Sequence, residues 1–278
     1  MSVQLDPQET VVAPSEGWIS LNLREVWAHR DLVGFLVWRD VKVRYRQTFF
    51  GAAWAVVPPF FTMIVFTLIF GVLVKVPSDG QPYWAFSLCA LTAWNYFSQA
   101  FTNISNSAIN NSSLIEKVYF PRLSLPLAAA LSPLLDLAIA FAFLVLALAV
   151  TGNMPSLRIL LVFPLTLIAL ATALGFGSIL AAINVRYRDV RHIVPLTLQL
   201  WLFATPVVYP ATLVPESLRP FLGLNPMAGV VEGFHWALLD SSTDPWPLIG
   251  IASVCSVVVL IIGLLMFRRH ERLFADLI

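Results

Sequence analysis

The side chains best placed for chemistry in this sequence lie in apolar surroundings. Asp136 falls inside an apolar stretch over 126–150. A carboxylate near mid-span is expensive unless paired, protonated or hydrated, so it is either a functional group or the partner of a polar neighbour. No such partner is identifiable from the sequence. Thr92, Asn95, Gln99, Thr102 and Asn106 follow three- and four-residue spacing along a second stretch, so they share one helical face. Amide side chains are costly against lipid, so the stripe faces a polar lumen or hydrogen-bonds a neighbouring helix. Trp94, Phe97 and Phe101 form a separate aromatic stripe on the same helix.

Catalytic patterns are missing. None of the three lysines (Lys42, Lys75, Lys117) follows a glycine, so there is no phosphate-binding loop. His29, His192, His235 and His270 are scattered without metal-ligand spacing, and no nucleophile-elbow motif occurs. Cys89 and Cys255 lie inside apolar stretches, where they read as small packing residues rather than a disulfide. The chain is therefore expected to be a transporter or scaffold, with no catalytic residue, metal or cofactor of its own.

The elements that must position these residues are membrane helices. Of 278 residues, 58% are hydrophobic and 12% charged, far from the globular norm. A spanning helix needs about 20 mostly apolar residues. Six stretches qualify, near 52–74, 84–104, 126–150, 159–183, 193–209 and 247–267. Fourteen of the 17 Lys and Arg residues fall on one side of the membrane these stretches define; Lys75, Arg158 and Arg219 are the exceptions. Basic loops stay cytoplasmic, which puts both termini inside. Residues 1–20 read as a flexible cytoplasmic tail and 21–278 as one transmembrane domain.

Within that domain, residues 21–48 form an amphipathic interface helix. Val26, Val33, Val37 and Val41 lie on one face, Trp27 and Trp38 serve as anchors, and Arg44 and Asp40 interrupt the apolar side. Pro58-Pro59 predicts a kink in the first span. Ser112-Ser113 reads as a helix cap before Leu114–Phe120, and Gly175, Gly177 and Ser178 suit close helix packing. Segments 215–224 and 227–239, divided by Asn225-Pro226, read as two short re-entrant helices between spans five and six. The fold class is thus all-α integral membrane.

Several segments then carry a resemblance. Arg44-Tyr45-Arg46-Gln47-Thr48-Phe49-Phe50-Gly51-Ala52-Ala53-Trp54 resembles the Arg-Tyr-x-x-Thr-x-x-Gly-x-x-Trp junction of ABC-transporter permeases that export cell-surface polysaccharides. Glu116–Arg122, Asn184–Asp189, Pro206–Tyr209 and Asn225-Pro226-Met227 are similar to further family segments, in order, over about 24–275. His235 departs from the family pattern, which has arginine there. The resemblance implies a homodimer with two copies of a separate ATPase, which binds ATP and Mg. The cargo would be lipid-linked polysaccharide, typically O antigen, moved across the bacterial inner membrane. It assigns ATPase coupling to Leu114, Ile115, Glu116, Lys117, Val118, Tyr119, Phe120 and Arg122; the alternative is an ordinary interfacial loop. Aromatic faces suit sugars, so Phe49, Trp54, Trp94, Phe97, Trp201 and Phe203, with Asn95 and Gln99, are candidate channel-lining residues. The alternative for the aromatics is lipid-facing packing or an interfacial belt. Teichoic acid, capsule or a hydrophobic small molecule are rival cargoes. A membrane glycosyltransferase would need clustered acidic or histidine residues at a membrane face, and none is present.

Overall fold

The computed structural model describes residues 23–46, 48, 51–187, 189–241 and 244–271; the expected N-terminal tail and Phe49 lie outside them. Among the described residues every regular element is helical. The chain opens with α1 (Leu23–Ala28) and α2 (Arg30–Tyr45), so the expected single interface helix breaks at His29. A 3-10 turn (Gly51–Ala55) leads into α3 (Val57–Phe66), which continues through π-helical turns at Thr67–Leu73. Pro58 and Pro59 therefore sit in the first turn of α3 rather than kinking its interior, where their missing N–H groups cost nothing.

Next come α4 (Tyr83–Ser105), the short α5 (Ser107–Asn110) and α6 (Ser112–Lys117). The third apolar stretch is divided into α7 (Ser124–Leu131) and α8 (Leu134–Val150). Pro133 at the N-cap of α8 restarts the helix. A 3-10 turn (Leu157–Leu161) precedes α9 (Val162–Asn184), followed by α10 (Val190–Ala204). Last are α11 (Arg219–Leu222), α12 (Pro226–Leu239) and α13 (Trp246–His270). The first of the two expected short helices thus shrinks to four residues.

Four continuous segments are long and apolar enough to cross a membrane: Gly51–Leu73, Ser124–Val150, Leu157–Asn184 and Trp246–His270. α4 is 23 residues long but carries the polar stripe, and α10 has 15 residues. The large core gathers α4, α9 and α12, with every α12 residue except Trp236 buried. A helix buried on all sides belongs to a packed interior. α9 and α13 cross so closely that a Cβ on Gly263 would stand 2.1 Å from the Gly175 carbonyl oxygen. A Cβ on Gly177 would stand 2.8 Å from Ile104 of α4. A second, smaller core joins Leu36 of α2 to Ile115, Phe120, Leu123, Ala181 and Phe267. It ties α2 to the α6 segment and to the ends of α9 and α13.

Candidate functional site

The site forms where three elements meet, the last turn of α2, the middle of α4 and the first turn of α8. Asp136 is 8% exposed, and both its oxygens are taken. Arg44 Nη1 donates to Oδ2 and the Tyr45 hydroxyl donates to Oδ1. Arg44 Nη1 also donates to Gln99 Oε1 at 3.1 Å. Local folding favours this placement. Helix starts attract negative charge and helix ends attract positive charge, and here the α8 start meets the α2 end. Burial, then the hydrogen bond to Asp136, holds the Tyr45 phenol above its ordinary range.

A cavity of about 370 Å³ opens beside this ion pair. Thr92, Asn95, Gln99 and Thr102 supply one wall, Trp54 and Pro58 another. Thr92 and Thr102 donate to the Leu88 and Ser98 carbonyls, each at 2.8 Å, and are satisfied within the helix. Asn95 differs: its buried Nδ2 has no partner among the described residues. Such a donor costs about 1–3 kcal/mol unless water or a ligand accepts from it. Gln99, Arg44 and Trp54 give the wall an amide, a guanidinium edge and an indole for a polar guest. A second cavity of about 400 Å³ lies between α2 and the α4–α5 end, with Arg39, Ser107, Asn110 and Asn111 on its wall. Arg44 and Asn103 line both cavities, so these two residues stand between them.

The remaining candidates separate by environment. Asn106 accepts from Asn184 Nδ2 at 3.2 Å, so the far end of the polar stripe bonds helix to helix while the rest faces the cavity. Trp54 is 49% exposed and on the cavity wall. Trp94, Phe97 and Trp201 are packed together instead, with Phe97–Trp201 centroids 5.0 Å apart. Trp201 Nε1 donates to Asn225 Oδ1 at 2.8 Å, and that oxygen also caps α12 by accepting from the Met227 N–H at 3.1 Å. Phe203 is 53% exposed and absent from the cavity wall. His235 is buried, with its ring 4.0 Å from that of Phe86 and Nε2 3.1 Å from the Phe86 carbonyl oxygen; a carbonyl can only accept, so Nε2 is the protonated nitrogen.

The 114–122 segment divides in the same way. Ile115 and Phe120 turn inward, whereas Glu116, Lys117, Val118 and Tyr119 are exposed, Tyr119 at 73%. Leu114 and Arg122 are partly buried. α6 starts at Ser112 and stops at Lys117, with Asn111 at its N-cap and no side-chain cap. The Asn111 amide is occupied elsewhere, donating to the Ser107 carbonyl and accepting from Arg39 Nη2, both at 2.8 Å.

Sequence reasoning missed Arg44 and Tyr45 as the partners of Asp136. One signal was visible, because Arg44 is one of two charges on the apolar side of the interface helix. The other, Asp40, accepts from Arg39 Nη2 at 2.8 Å.

Comparison with known proteins fits this architecture. The ABC-2 type transporter family pattern matches residues 31–239. The O-antigen export system permease protein RfbA of Myxococcus xanthus is 33% identical, over 91% of this chain and 98% of that protein. The RfbA of Klebsiella pneumoniae is 26% identical, over 89% and 95%. The polysialic acid transport protein KpsM of Escherichia coli is 22% identical, over 84% and 91%. The chain therefore belongs to the ABC-2 type transporter family, as a membrane permease and not an enzyme.

Proposed function

We propose that this chain is the membrane subunit of an ABC exporter that carries lipid-linked cell-surface polysaccharide, O antigen in particular, across the bacterial inner membrane. The observation that carries the reading is the likeness to O-antigen export permeases along nearly their whole length. The polar cavity lined by Arg44, Gln99 and Trp54 supports it, because a polymer that moves stepwise needs repeated, weak polar contacts.

Six crossings with both termini inside give the topology. α4 joins the four apolar segments because its 23 residues reach about 35 Å, with its polar face turned to the cavity. α10 joins them when continued through Tyr209, while α11 and α12 re-enter from the outside. Residues 21–278 then form one transmembrane domain. Two copies of the chain and two ATPase subunits, which hold ATP and Mg, complete the transporter.

Energy enters at Glu116, Lys117, Val118 and Tyr119, the exposed part of the coupling segment. Ile115 and Phe120 anchor that segment in the same core as Leu36 of α2. Arg39 holds Asn111, and further along α2 Arg44 reaches Asp136 and Gln99 on the cavity wall. ATP binding on the partner therefore moves the cavity wall through α2. The shift can be no larger than the difference in affinity of the ATPase for the two permease states.

A second cargo, capsular polysaccharide, is favoured by the likeness to the polysialic acid transporter. Deleting the gene separates the two. O-antigen export predicts loss of surface O antigen with lipid-linked glycan accumulating inside, restored by the intact gene. Surface O antigen that persists while capsule disappears favours the second cargo.

A further inference from the structure

We propose that the groove between α2 and the α7–α8 segment holds one hydrocarbon chain of an anionic phospholipid, whose phosphate sits on Arg30. α2 presents two unlike walls. Leu36, Arg39, Asp40 and Arg44 line the polar cavity. About a quarter turn around the helix, Val33, Val37 and Val41 face Leu127, Leu131 and Leu134 across a groove of about 890 Å³. Leu36 docks into the bundle at 1% exposure, whereas the valines are only partly buried, Val33 and Val37 packing on the same core with one side. The valine stripe of the amphipathic pattern is thus left with an incomplete partner.

Two residues say what completes it. Gly34 lies within α2, where glycine weakens a helix relative to alanine. A Cβ there would meet nothing within 4 Å, in contrast to Gly175 and Gly263, so protein packing does not require the glycine. Its missing side chain leaves a notch in the groove wall, one side chain wide, which suits a slender unbranched chain. Arg30 is the one charged residue on that wall, and its guanidinium has no ion pair or side-chain hydrogen bond among the described residues. A cation beside alkyl walls complements an anionic headgroup joined to a hydrocarbon tail. Leu127, Leu131 and Leu134 belong to a segment apolar and long enough to cross a membrane, which puts the groove where lipid is the solvent. The bound chain would then support α2, the helix that carries Arg44. The proposal is independent of what the transporter carries.

Native mass spectrometry of the full chain tests it, after reconstitution in vesicles of equal phosphatidylglycerol and phosphatidylethanolamine and extraction into detergent. The wild type is expected to retain a phosphatidylglycerol mass. Gly34→Phe fills the notch and should lose it, while Gly34→Ala, which leaves most of the room, should keep it and shows that α2 tolerates substitution. Arg30→Gln should retain lipid without preference for phosphatidylglycerol. Equal lipid retention by wild type and Gly34→Phe overturns the proposal. So does a retained lipid that is mainly phosphatidylethanolamine in the wild type, or a second chain cross-linked through a cysteine at position 34.

Discussion

Arg44→Ala would leave the Asp136 carboxylate buried without its cation. Breaking such a pair from one side costs about 3–5 kcal/mol, whereas replacing both members with apolar side chains is often neutral. Thermal unfolding in detergent should therefore show a large drop in Tm for Arg44→Ala. The double variant Arg44→Met with Asp136→Leu should recover most of it. Surface glycan should stay low in both, because the apolar pair restores packing but not the link to Gln99. A double variant as unstable as the single one would refute the pairing. The sequence displays Asp136 as a costly charge and Arg44 as a fault in an amphipathic pattern. It does not display their union across 92 positions, which depends on how α2 docks against the bundle. Pro133 is the other part missed at this scale. Asp136 stays near the middle of the Ser124–Val150 segment, but the restart also puts it in a first turn, where the peptide dipoles favour a carboxylate.

Among the elements, the 114–122 segment makes the sharpest distinction. Glu116→Lys and Tyr119→Ala alter exposed side chains, so they should weaken association with the ATPase and leave permease stability within about 0.5 kcal/mol. Phe120→Ala removes a buried ring and should cost about 3–5 kcal/mol of stability. Binding titrations with the ATPase, paired with unfolding curves, check both. Normal ATPase affinity in Glu116→Lys and Tyr119→Ala would argue against docking there. A similar contrast applies to the α9–α13 crossing. Gly263→Leu places a side chain where even a Cβ meets backbone 2.1 Å away, so little folded protein is expected in a detergent expression test. Gly175 and Gly177 were readable as packing glycines from their small-residue context. Their opposing surfaces, Gly263 and Ile104, were not, because helix adjacency is a tertiary property. The aromatic stripe of α4 shows the same boundary. Its periodicity is plain in the sequence, yet whether Phe97 faces a guest or Trp201 is settled by which helix packs against it.

For the whole molecule, the apolar stretches made a helical membrane architecture readable, since an apolar helix follows from what a bilayer excludes. The ordered motifs made the family readable. The cavity was not, being a product of three segments that pack side by side. On this account α2 links two events, ATPase docking at Tyr119 and rearrangement of the wall at Arg44. The most direct measurement is translocation of a lipid-linked O-antigen glycan in sealed vesicles containing the purified chain and its ATPase. The account predicts glycan transfer that requires ATP and is lost with Tyr119→Ala. Transfer that proceeds equally without ATP, or movement of a hydrophobic small molecule with no glycan transfer, would contradict it.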